Sequence, residues 1–316
     1  MDKTLIALSK RIGLTALDVG ARGGVNTDLK GIASEVSYVG FEPDQKECNR
    51  LNKLPNLGGW GASRFLPVAL AAEPGIFSLN LYSQPGCTSK YQARKELGAL
   101  FARGHYYDIN SVVQVPCQRL DDLVSMEAIE EPAYMKIDVQ GMEDEVFQGA
   151  EMTLRNHLCA IRAEVSFFPI YKDQPLFAEI DQRLRSNGFV PMRWLESHEW
   201  RRSTSRKPRK LSNNDIPYSR GQLIHADVLY LLHPETLPSN TPEAIRRLLR
   251  LGVLAACYEH YDHALAAFTI QAVRQYAHSE LKLDLEAAVK RMSQAQASFT
   301  RRLAYRAMRV LENNFA

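Results

Sequence analysis

Up to about residue 233, the chain alternates between short apolar runs and amphipathic stretches. An apolar run of this kind that ends near Gly, Asp or Pro is typical of a buried parallel strand. The predicted strands cover residues 14–19, 36–41, 65–70, 133–139, 158–167, 189–195 and 223–232, with alternating segments at 76–82 and 112–115. Helices are predicted over residues 20–34, after Asp44, over 141–156 and over 176–187.

Strands that alternate with helices predict βαβ units and a mostly parallel sheet, which places this region in the α/β class. The last two strands are joined by a loop without helical periodicity, so we expect that pair to be antiparallel. Beyond His233 only helical periodicity remains, starting at Thr241 with Pro242 in the first turn. The pattern therefore predicts an α/β domain at 1–235 and an all-helical extension at 236–316.

The extension is predicted to contain a helical hairpin followed by one long helix. Leu251, Gly252, Tyr261, Ala264 and Phe268 have the spacing of a tetratricopeptide-like hairpin. The long helix repeats apolar residues at roughly heptad positions, namely Leu285, Val289, Met292, Phe299, Leu303 and Val310. Such a stripe packs either into the core or against a second copy of the chain, so a homodimer through this region is one hypothesis.

The composition agrees with a folded globular protein. The chain has 316 residues, 45% hydrophobic and 24% charged, which excludes wholesale disorder and suits about two domains. No uncharged apolar run reaches the roughly 18 residues of a membrane span, and the amino-terminal segment lacks the apolar core of a signal peptide. The five cysteines are scattered without a C-x-x-C pair, which favours reduced thiols, a cytoplasmic location and no metal site.

One basic loop sets the sign of the net charge. The formal charge is +3, and residues 201–210 contribute six basic side chains and no acid. A near-neutral total excludes a protein that coats nucleic acid over its whole surface. Because Trp194 and Trp200 precede this loop, we expect it to overhang an acceptor pocket and to favour an anionic acceptor. A solvated loop and a local phosphate-binding patch are the alternatives.

Three strand ends are predicted to meet at one ligand site, because ligands of open α/β sheets bind beyond the carboxyl ends of the central strands. The first strand leads into a glycine-rich turn, residues 18–24, where glycine permits positive φ and close approach of a ligand. The second ends at Glu42, where an acid is placed to bind both hydroxyls of a ribose. The third ends at Asp138. This spacing indicates a cofactor that contains adenosine.

The glycine-rich turn disfavours a dinucleotide. The fingerprint G-x-G-x-x-G would need glycines at 20, 22 and 25, where the chain has Gly20, Arg22 and Val25. S-adenosylmethionine (SAM) has no pyrophosphate, and its carboxylate and ammonium can be bound by turn amides and an acid such as Asp18. The residues therefore favour SAM over NAD or FAD.

Taken together, the motifs of the chain resemble those of the FkbM family of SAM-dependent methyltransferases. The matching segments are DVGARGGVNT (18–27), FEPD (41–44), PVAL (67–70), LDDL (120–123), KIDVQGMEDEVFQGAE (136–151) and AEVSFF (163–168). The resemblance implies the Rossmann-like class I methyltransferase fold, with a seven-stranded, mostly parallel sheet. It also implies methylation of hydroxyl groups on sugars, glycoconjugates or polyketide-like molecules.

The resemblance also implies roles for individual residues. Cofactor binding falls to Asp18, Gly20, Arg22, Gly24, Glu42, Ala69 and Asp138. The candidate catalytic residues are Asp138, Glu164 and Glu143. His105 and His225 are further candidates for the base that accepts the hydroxyl proton. The chain departs from the family pattern at Arg22, where Asn is usual, and at Gln140, where Glu is usual. The second departure removes a carboxylate from the mouth of the site.

The sequence thus predicts a SAM-dependent O-methyltransferase that acts on a small-molecule or glycan acceptor, with no nucleic-acid partner. An N-methyltransferase and a dinucleotide-dependent oxidoreductase are alternatives on the same fold. A SAM-binding scaffold without turnover, whose helical extension binds a protein partner, is the alternative from another class, and Gln140 is the residue that favours it.

Overall fold

The computed structural model describes residues 1–23, 27–54, 57–202 and 218–314. It begins with a helix that the apolar pattern did not predict, α1 (Lys3–Ile12). The Asp2 carboxylate caps this helix by accepting a 2.8 Å hydrogen bond from the Thr4 amide. Leu5 and Leu8 on its inner face are fully buried, so α1 belongs to the core.

Within the described ranges, ten strands follow in chain order. They are β1 (Leu14–Val19), β2 (Val36–Phe41), β3 (Ala62–Leu66), β4 (Ala69–Leu70), β5 (Gly75–Tyr82), β6 (Ile109–Gln118), β7 (Tyr134–Ile137), β8 (Ala160–Ser166), β9 (Phe189–Trp200) and β10 (Gln222–Leu232). Seven of these strands form the main sheet in the order β3-β2-β1-β7-β8-β10-β9. Within this sheet, the four pairings along β3-β2-β1-β7-β8 are parallel, whereas β10 is antiparallel to both β8 and β9. The predicted seven-stranded, mostly parallel sheet and the antiparallel final pair are confirmed.

The other three strands form a small second sheet in the order β4-β6-β5. The single strand predicted over 65–70 is therefore wrong, because the chain leaves the main sheet after Leu66 and joins the second sheet at Ala69. Pro67 lies between the two and has no amide proton to donate to a ladder, which explains the break. The second sheet places Ala69 above the carboxyl end of the main sheet.

The helices that cover the main sheet differ from the prediction in two places. The remaining helices of this part are α2 (Gln45–Asn52), α3 (Lys95–Ala99), α4 (Leu120–Ser125), α5 (Glu143–Gln148), α6 (Glu151–Asn156) and α7 (Phe177–Ser186). The one helix predicted over 141–156 is two helices, α5 and α6. They separate at Gly149, where an added Cβ would lie 2.0 Å from the Ala71 carbonyl oxygen, so the close approach of two backbones requires glycine.

The helix predicted over 20–34 is also wrong for the described residues of that segment. Residues 27–35 form consecutive turns that end in a short 3₁₀ helix, Ala33–Glu35. The amides of Lys30, Ile32 and Glu35 donate to the carbonyl three residues earlier, as from Lys30 to Thr27 at 3.1 Å. Leu29 and Ile32 are buried all the same, so the apolar periodicity reflects packing of turns against the sheet.

The carboxyl-terminal region is helical, as predicted. Its helices are α8 (Pro242–Cys257), α9 (Tyr261–Thr269), α10 (Gln271–Tyr276) and α11 (Leu285–Asn314). Thr241 caps α8 by accepting a hydrogen bond from the Ala244 amide. Buried residues of α8 and α9 belong to the same hydrophobic cluster as β1, β7 and β8. The proposed boundary near residue 235 therefore runs through one continuous core.

Candidate functional site

A first cavity of about 360 Å³ opens at the carboxyl ends of β1, β2 and β7. Ligands of open α/β sheets bind in this position. Residues from these strand ends and from the second sheet line the cavity: Val19, Gly20, Arg22, Gly23, Phe41, Glu42, Pro43, Ala69, Leu70, Phe77, Leu79, Pro85, Gly86, Thr88, Asp138, Val139, Gln140 and Met142. Five of the predicted cofactor residues thus share one cavity, namely Gly20, Arg22, Glu42, Ala69 and Asp138.

Gly20 brings the ends of β1 and β7 together. Its φ is +87°, and a Cβ at this position would lie 2.0 Å from the carbonyl oxygen of Asp138. Any other residue would force the two strand ends apart, because both the backbone angle and the space demand glycine. Gly24, the other predicted glycine of this turn, lies outside the described residues.

Glu42 lines the first cavity, and its two carboxylate oxygens differ in their partners among the described residues. Its Oε1 accepts hydrogen bonds from the Asp44 amide at 2.8 Å and from Arg22 Nη2 at 3.3 Å. Its Oε2 accepts none from the described residues. Burial raises the pKa of the Glu42 carboxyl, and the positive charge of Arg22 opposes this effect. The arrangement leaves a fixed acceptor for the hydroxyls of a ligand.

Asp18 does not line either cavity described in this section. Its buried carboxylate accepts a hydrogen bond from the Tyr38 hydroxyl and lies 3.5 Å from Lys136 Nζ. Burial raises the pKa of Asp18, and the Lys136 ammonium opposes the rise. Asp18 therefore supports the strand ends from within the sheet, and its predicted contact with a cofactor stays a prediction.

The outer wall of the first cavity is apolar and comes largely from the second sheet. Ala69 and Leu70 belong to β4, while Phe77 and Leu79 belong to β5. A flat aromatic ring is well matched by such a wall, since its faces lose water on binding. Of these four residues, the motifs identified only Ala69, because the contribution of β5 depends on the second sheet.

A second cavity of about 350 Å³ adjoins the first. It is lined by Gln84, Gly86, Cys87, Arg103, Tyr106, Tyr107, Asp138, Gln140, Glu164, Ser166, Ile170, Tyr171, Gln174, His198, Glu199, Trp200 and His225. Gly86, Asp138 and Gln140 line both cavities. The two cavities therefore meet at these three residues.

Gln140 holds two carboxyl groups together at this junction. Its amide nitrogen donates to Asp138 Oδ1 at 2.9 Å and to Glu164 Oε2 at 2.8 Å. The Tyr171 hydroxyl donates to its amide oxygen at 3.0 Å, which fixes the orientation of the amide. On the far side, His225 Nδ1 lies 2.8 Å from Glu164 Oε1, although not in hydrogen-bond geometry. Asp138, Glu164 and His225 thus form one cluster.

The three groups of this cluster titrate differently. Burial acts to raise the pKa of Asp138, but the Lys136 ammonium and the Gln140 amide outweigh it and hold that pKa below its usual range. Burial and the Asp138 charge raise the pKa of Glu164 well above its usual range, and burial lowers the pKa of His225. These shifts favour the ionised form of Asp138, the protonated form of Glu164 and the neutral form of His225.

Glu143, a predicted catalytic residue, faces its own loop. Its Oε1 accepts hydrogen bonds from the Val139 amide at 3.0 Å and the Gly141 amide at 3.3 Å. Burial raises the pKa of Glu143 to about 7. It lines neither cavity, so these contacts favour a role in fixing the loop that carries Gln140, and its catalytic role stays a prediction.

Aromatic rings form the opposite wall of the second cavity. Trp200, at the end of β9, makes an edge contact with His225, and the rings of His225 and His198 stack 4.3 Å apart. Trp194 packs instead against Phe167 outside the cavity. His105 also lies outside both cavities, and residues 203–217 of the basic loop lie outside the described chain.

Within the described residues, no group of three or more His, Cys, Asp or Glu side chains is arranged to hold a metal ion. None of the helices in these ranges is both long and apolar enough to cross a lipid bilayer.

The strand order, with two joined cavities at the carboxyl edge, defines a Rossmann-like fold with a candidate ligand site. The model of the methyltransferase FkbM domain matches residues 18–191, more than half of the chain. The protein therefore belongs to the FkbM methyltransferase family.

Comparison with individual proteins adds one similar structure. The crystal structure of methyltransferase FkbM from Methylobacillus flagellatus KT, at 2.20 Å resolution, is 11% identical, with a TM-score of 0.34. The alignment covers 70% of this chain and 44% of that one, so the chain spans less than half the length of this relative. No curated protein matches the chain.

Proposed function

We propose that the protein is a SAM-dependent O-methyltransferase that modifies a hydroxyl group on a sugar, a glycoconjugate or a polyketide-like small molecule. The observation that carries the proposal is the meeting of two cavities at Gly86, Asp138 and Gln140. Methyl transfer requires the methyl donor and the acceptor to touch, with the acceptor oxygen aligned on the methyl group. Two adjoining cavities with an ionised carboxylate at their junction suit that requirement.

The residues of the first cavity fit SAM. Glu42 Oε2 would accept hydrogen bonds from the ribose hydroxyls, and the apolar wall that includes Phe77 and Leu79 suits the adenine ring. The Gly20 turn, with Arg22 beside it, would hold the methionyl end. Arg22 is itself held by Asp44 at 3.0 Å, so it is fixed in position.

The turns after β1 argue against a dinucleotide. A pyrophosphate is usually bound at the amino terminus of the helix that follows the first strand. Residues 27–35 form turns and a short 3₁₀ helix instead, so the described part of this segment offers no such terminus. This supports a cofactor without a pyrophosphate.

SAM supplies, when bound, a sulfonium methyl group that is already a strong electrophile. The protein then has to align the acceptor oxygen, exclude water and accept the hydroxyl proton. Asp138 is the ionised group at the junction, and its hydrogen bond from Gln140 fixes its orientation. We assign it the role of proton acceptor. Glu164 and His225 adjoin it, and their pKa shifts favour their neutral forms, so that the negative charge stays on Asp138.

Cofactor binding tests the assignment of the first cavity. Calorimetry with SAM, S-adenosylhomocysteine and NAD should give the tightest binding for the two adenosyl sulfur compounds. Glu42→Ala should weaken S-adenosylhomocysteine binding about 100-fold, because the variant removes the charged acceptor of two hydroxyl groups. Glu35→Ala, at the opposite end of β2, is the matched control and should bind like wild type. Tighter binding of NAD, or an unchanged affinity in Glu42→Ala, would contradict the assignment.

The same preparation tests catalysis. At saturating SAM and with a hydroxylated acceptor, Asp138→Asn should form S-adenosylhomocysteine about 100-fold more slowly than wild type, because the proton acceptor is lost. An unchanged rate would remove Asp138 from the mechanism. Binding of SAM without turnover on any member of a panel of sugars would instead favour the scaffold.

A further inference from the structure

The second cavity contains an arginine that the proposed reaction does not use. Arg103 lies over two aromatic ring faces, with its guanidinium carbon 4.8 Å from the ring centre of Trp200 and 5.4 Å from that of Tyr106. Such cation–π contacts hold the guanidinium in place. They use none of its five N–H donors, which stay available for hydrogen bonds.

No described residue accepts a hydrogen bond from this guanidinium, and no described carboxylate lies within ion-pairing distance of it. Arg22, the arginine of the first cavity, contrasts with it, since Arg22 contacts both Glu42 and Asp44. Arg103 is half-buried, so water solvates its guanidinium in the empty cavity and an anionic ligand can replace that water. Arg103 therefore resembles a preformed half of an ion pair.

Arg103 is also the one lysine or arginine among the described residues that line the second cavity. The two histidines of the wall, His198 and His225, have pKa values lowered by burial and carry no charge at neutral pH. The carboxyl groups that line the cavity are Asp138 and Glu164 at the junction and Glu199 on the wall. The exposed Glu199 accepts a hydrogen bond from the Gly221 amide at 3.3 Å. The cavity is therefore polarised, with a proton-accepting carboxylate in one part and a cation in another.

We propose that Arg103 binds an acidic group, a carboxylate or a phosphate, on the acceptor, so that the enzyme methylates a hydroxyl group of an anionic molecule. This inference rests on the proposed function and names its substrate class. A planar guanidinium fixed on aromatic rings gives two parallel donors, which match two oxygens of a carboxylate or phosphate. The acid end of the acceptor would then set which hydroxyl reaches Asp138.

Binding of three simple probes tests the proposal. Calorimetry on the full chain with S-adenosylhomocysteine present would compare D-glucuronate, D-glucose 6-phosphate and D-glucose. At least one acidic sugar should bind about tenfold or more tightly than glucose, because a charge-assisted pair contributes more than a neutral hydrogen bond. Preference for glucuronate would identify a carboxylate acceptor, and preference for the phosphate would identify a phosphorylated one.

Two variants locate the effect. Arg103→Gln should abolish the preference for the acidic sugar, and Arg103→Lys should restore part of it, because lysine keeps the charge but loses the fork. Arg94→Gln is the matched control, since Arg94 is paired with Glu96 and lines neither cavity. S-adenosylhomocysteine should bind equally to all of these proteins.

The failures of the two proposals are distinguishable. If S-adenosylhomocysteine binds but glucose binds as tightly as both acids, or if Arg103→Gln keeps the preference, Arg103 has no role in recognising an acid and only this inference is wrong. If S-adenosylhomocysteine does not bind to the wild-type chain, the proposed function is wrong, and the substrate class proposed on it is withdrawn.

Discussion

Gln140 stands where the family resemblance leads one to expect glutamate, and the structure shows what an amide does there. Its nitrogen donates to Asp138 and to Glu164, and a glutamate carboxylate has no proton to donate to either group. Its φ of +55° is unusual for a residue other than glycine and turns its backbone carbonyl toward the Ser89 hydroxyl. The departure therefore orders the junction of the two cavities.

Glu143 gives a pH-dependent prediction at the same scale. Burial raises its pKa from the usual 4.5 to about 7, so the folded state keeps a proton that the unfolded state loses as the pH rises between these values. Glu143 should therefore lower stability progressively from pH 4.5 to pH 7, by about 1 to 3 kcal/mol once both states are ionised.

Glu143→Gln removes this titration and keeps an oxygen that can accept the hydrogen bond from the Val139 amide. Urea unfolding should show the variant gaining stability over wild type at pH 8 relative to pH 5. Glu151→Gln, an exposed glutamate at the start of α6, provides the baseline. A difference between variant and wild type that does not change with pH would mean that Glu143 titrates normally.

The sequence identified residues that lie on strand ends and missed those that depend on tertiary packing. Gly20, Glu42 and Asp138 follow predicted strands, so the parallel topology alone brings them together. Arg103 comes from the long connection between β5 and β6, whose course depends on a second sheet that periodicity does not reveal. Glu143 has the residue type of a catalyst, but only the structure shows that its oxygen is turned to its own loop.

At the scale of elements, strands were predicted better than helices. A buried parallel strand has a clear apolar run, whereas the turns over 27–35 bury Leu29 and Ile32 at a spacing that also suits a helix. The predicted hairpin was correct in its two helices, α8 and α9. Its Gly252 lies against the ring of Phe268, where an added Cβ would come within 2.3 Å of a ring carbon.

This contact reverses the usual effect of a glycine substitution. Gly→Ala inside a helix normally adds about 0.5 to 1 kcal/mol of stability, but Gly252→Ala should destabilise the protein by about 1 to 3 kcal/mol through overpacking. Thermal unfolding would compare three proteins with wild type: Gly252→Ala, Phe268→Leu and the double variant. The double variant should lose less than the sum of the two single variants, and strict additivity would mean that the two residues do not conflict.

At the scale of the whole molecule, the helical extension completes the core of the α/β part. Arg250 donates to the Gly13 carbonyl just before β1, and Arg247 donates to the carbonyls of Leu154 and Leu158 around the end of α6. Leu248 and Leu251 are fully buried in the shared cluster. The change in sequence pattern near residue 235 is real, but periodicity carries no information on what each helix packs against.

A chain that ends at residue 235 should therefore fail to fold, because it exposes the apolar surface that α8 and α9 cover. Circular dichroism should show no cooperative unfolding transition. A chain that ends at residue 296 keeps Leu285 and Val289 and should fold like the full protein. A stable, cooperative 1–235 fragment would contradict the shared core.

Gel filtration of the same proteins bears on the predicted homodimer. If α11 pairs two chains, the full protein should elute at twice the mass of one chain and the 1–296 protein should elute nearer to one. A full-length protein that elutes as a single chain would exclude the dimer.

The narrow junction between the two cavities has an evolutionary consequence. Arg103, Trp200 and His225 contact only the second cavity, while Gly20 and Glu42 contact only the first. Under the proposed function, substitutions in the former group would change the molecule that is modified and leave the binding of the methyl donor unchanged. Gene duplicates with this architecture could then diverge in acceptor while they keep one donor site.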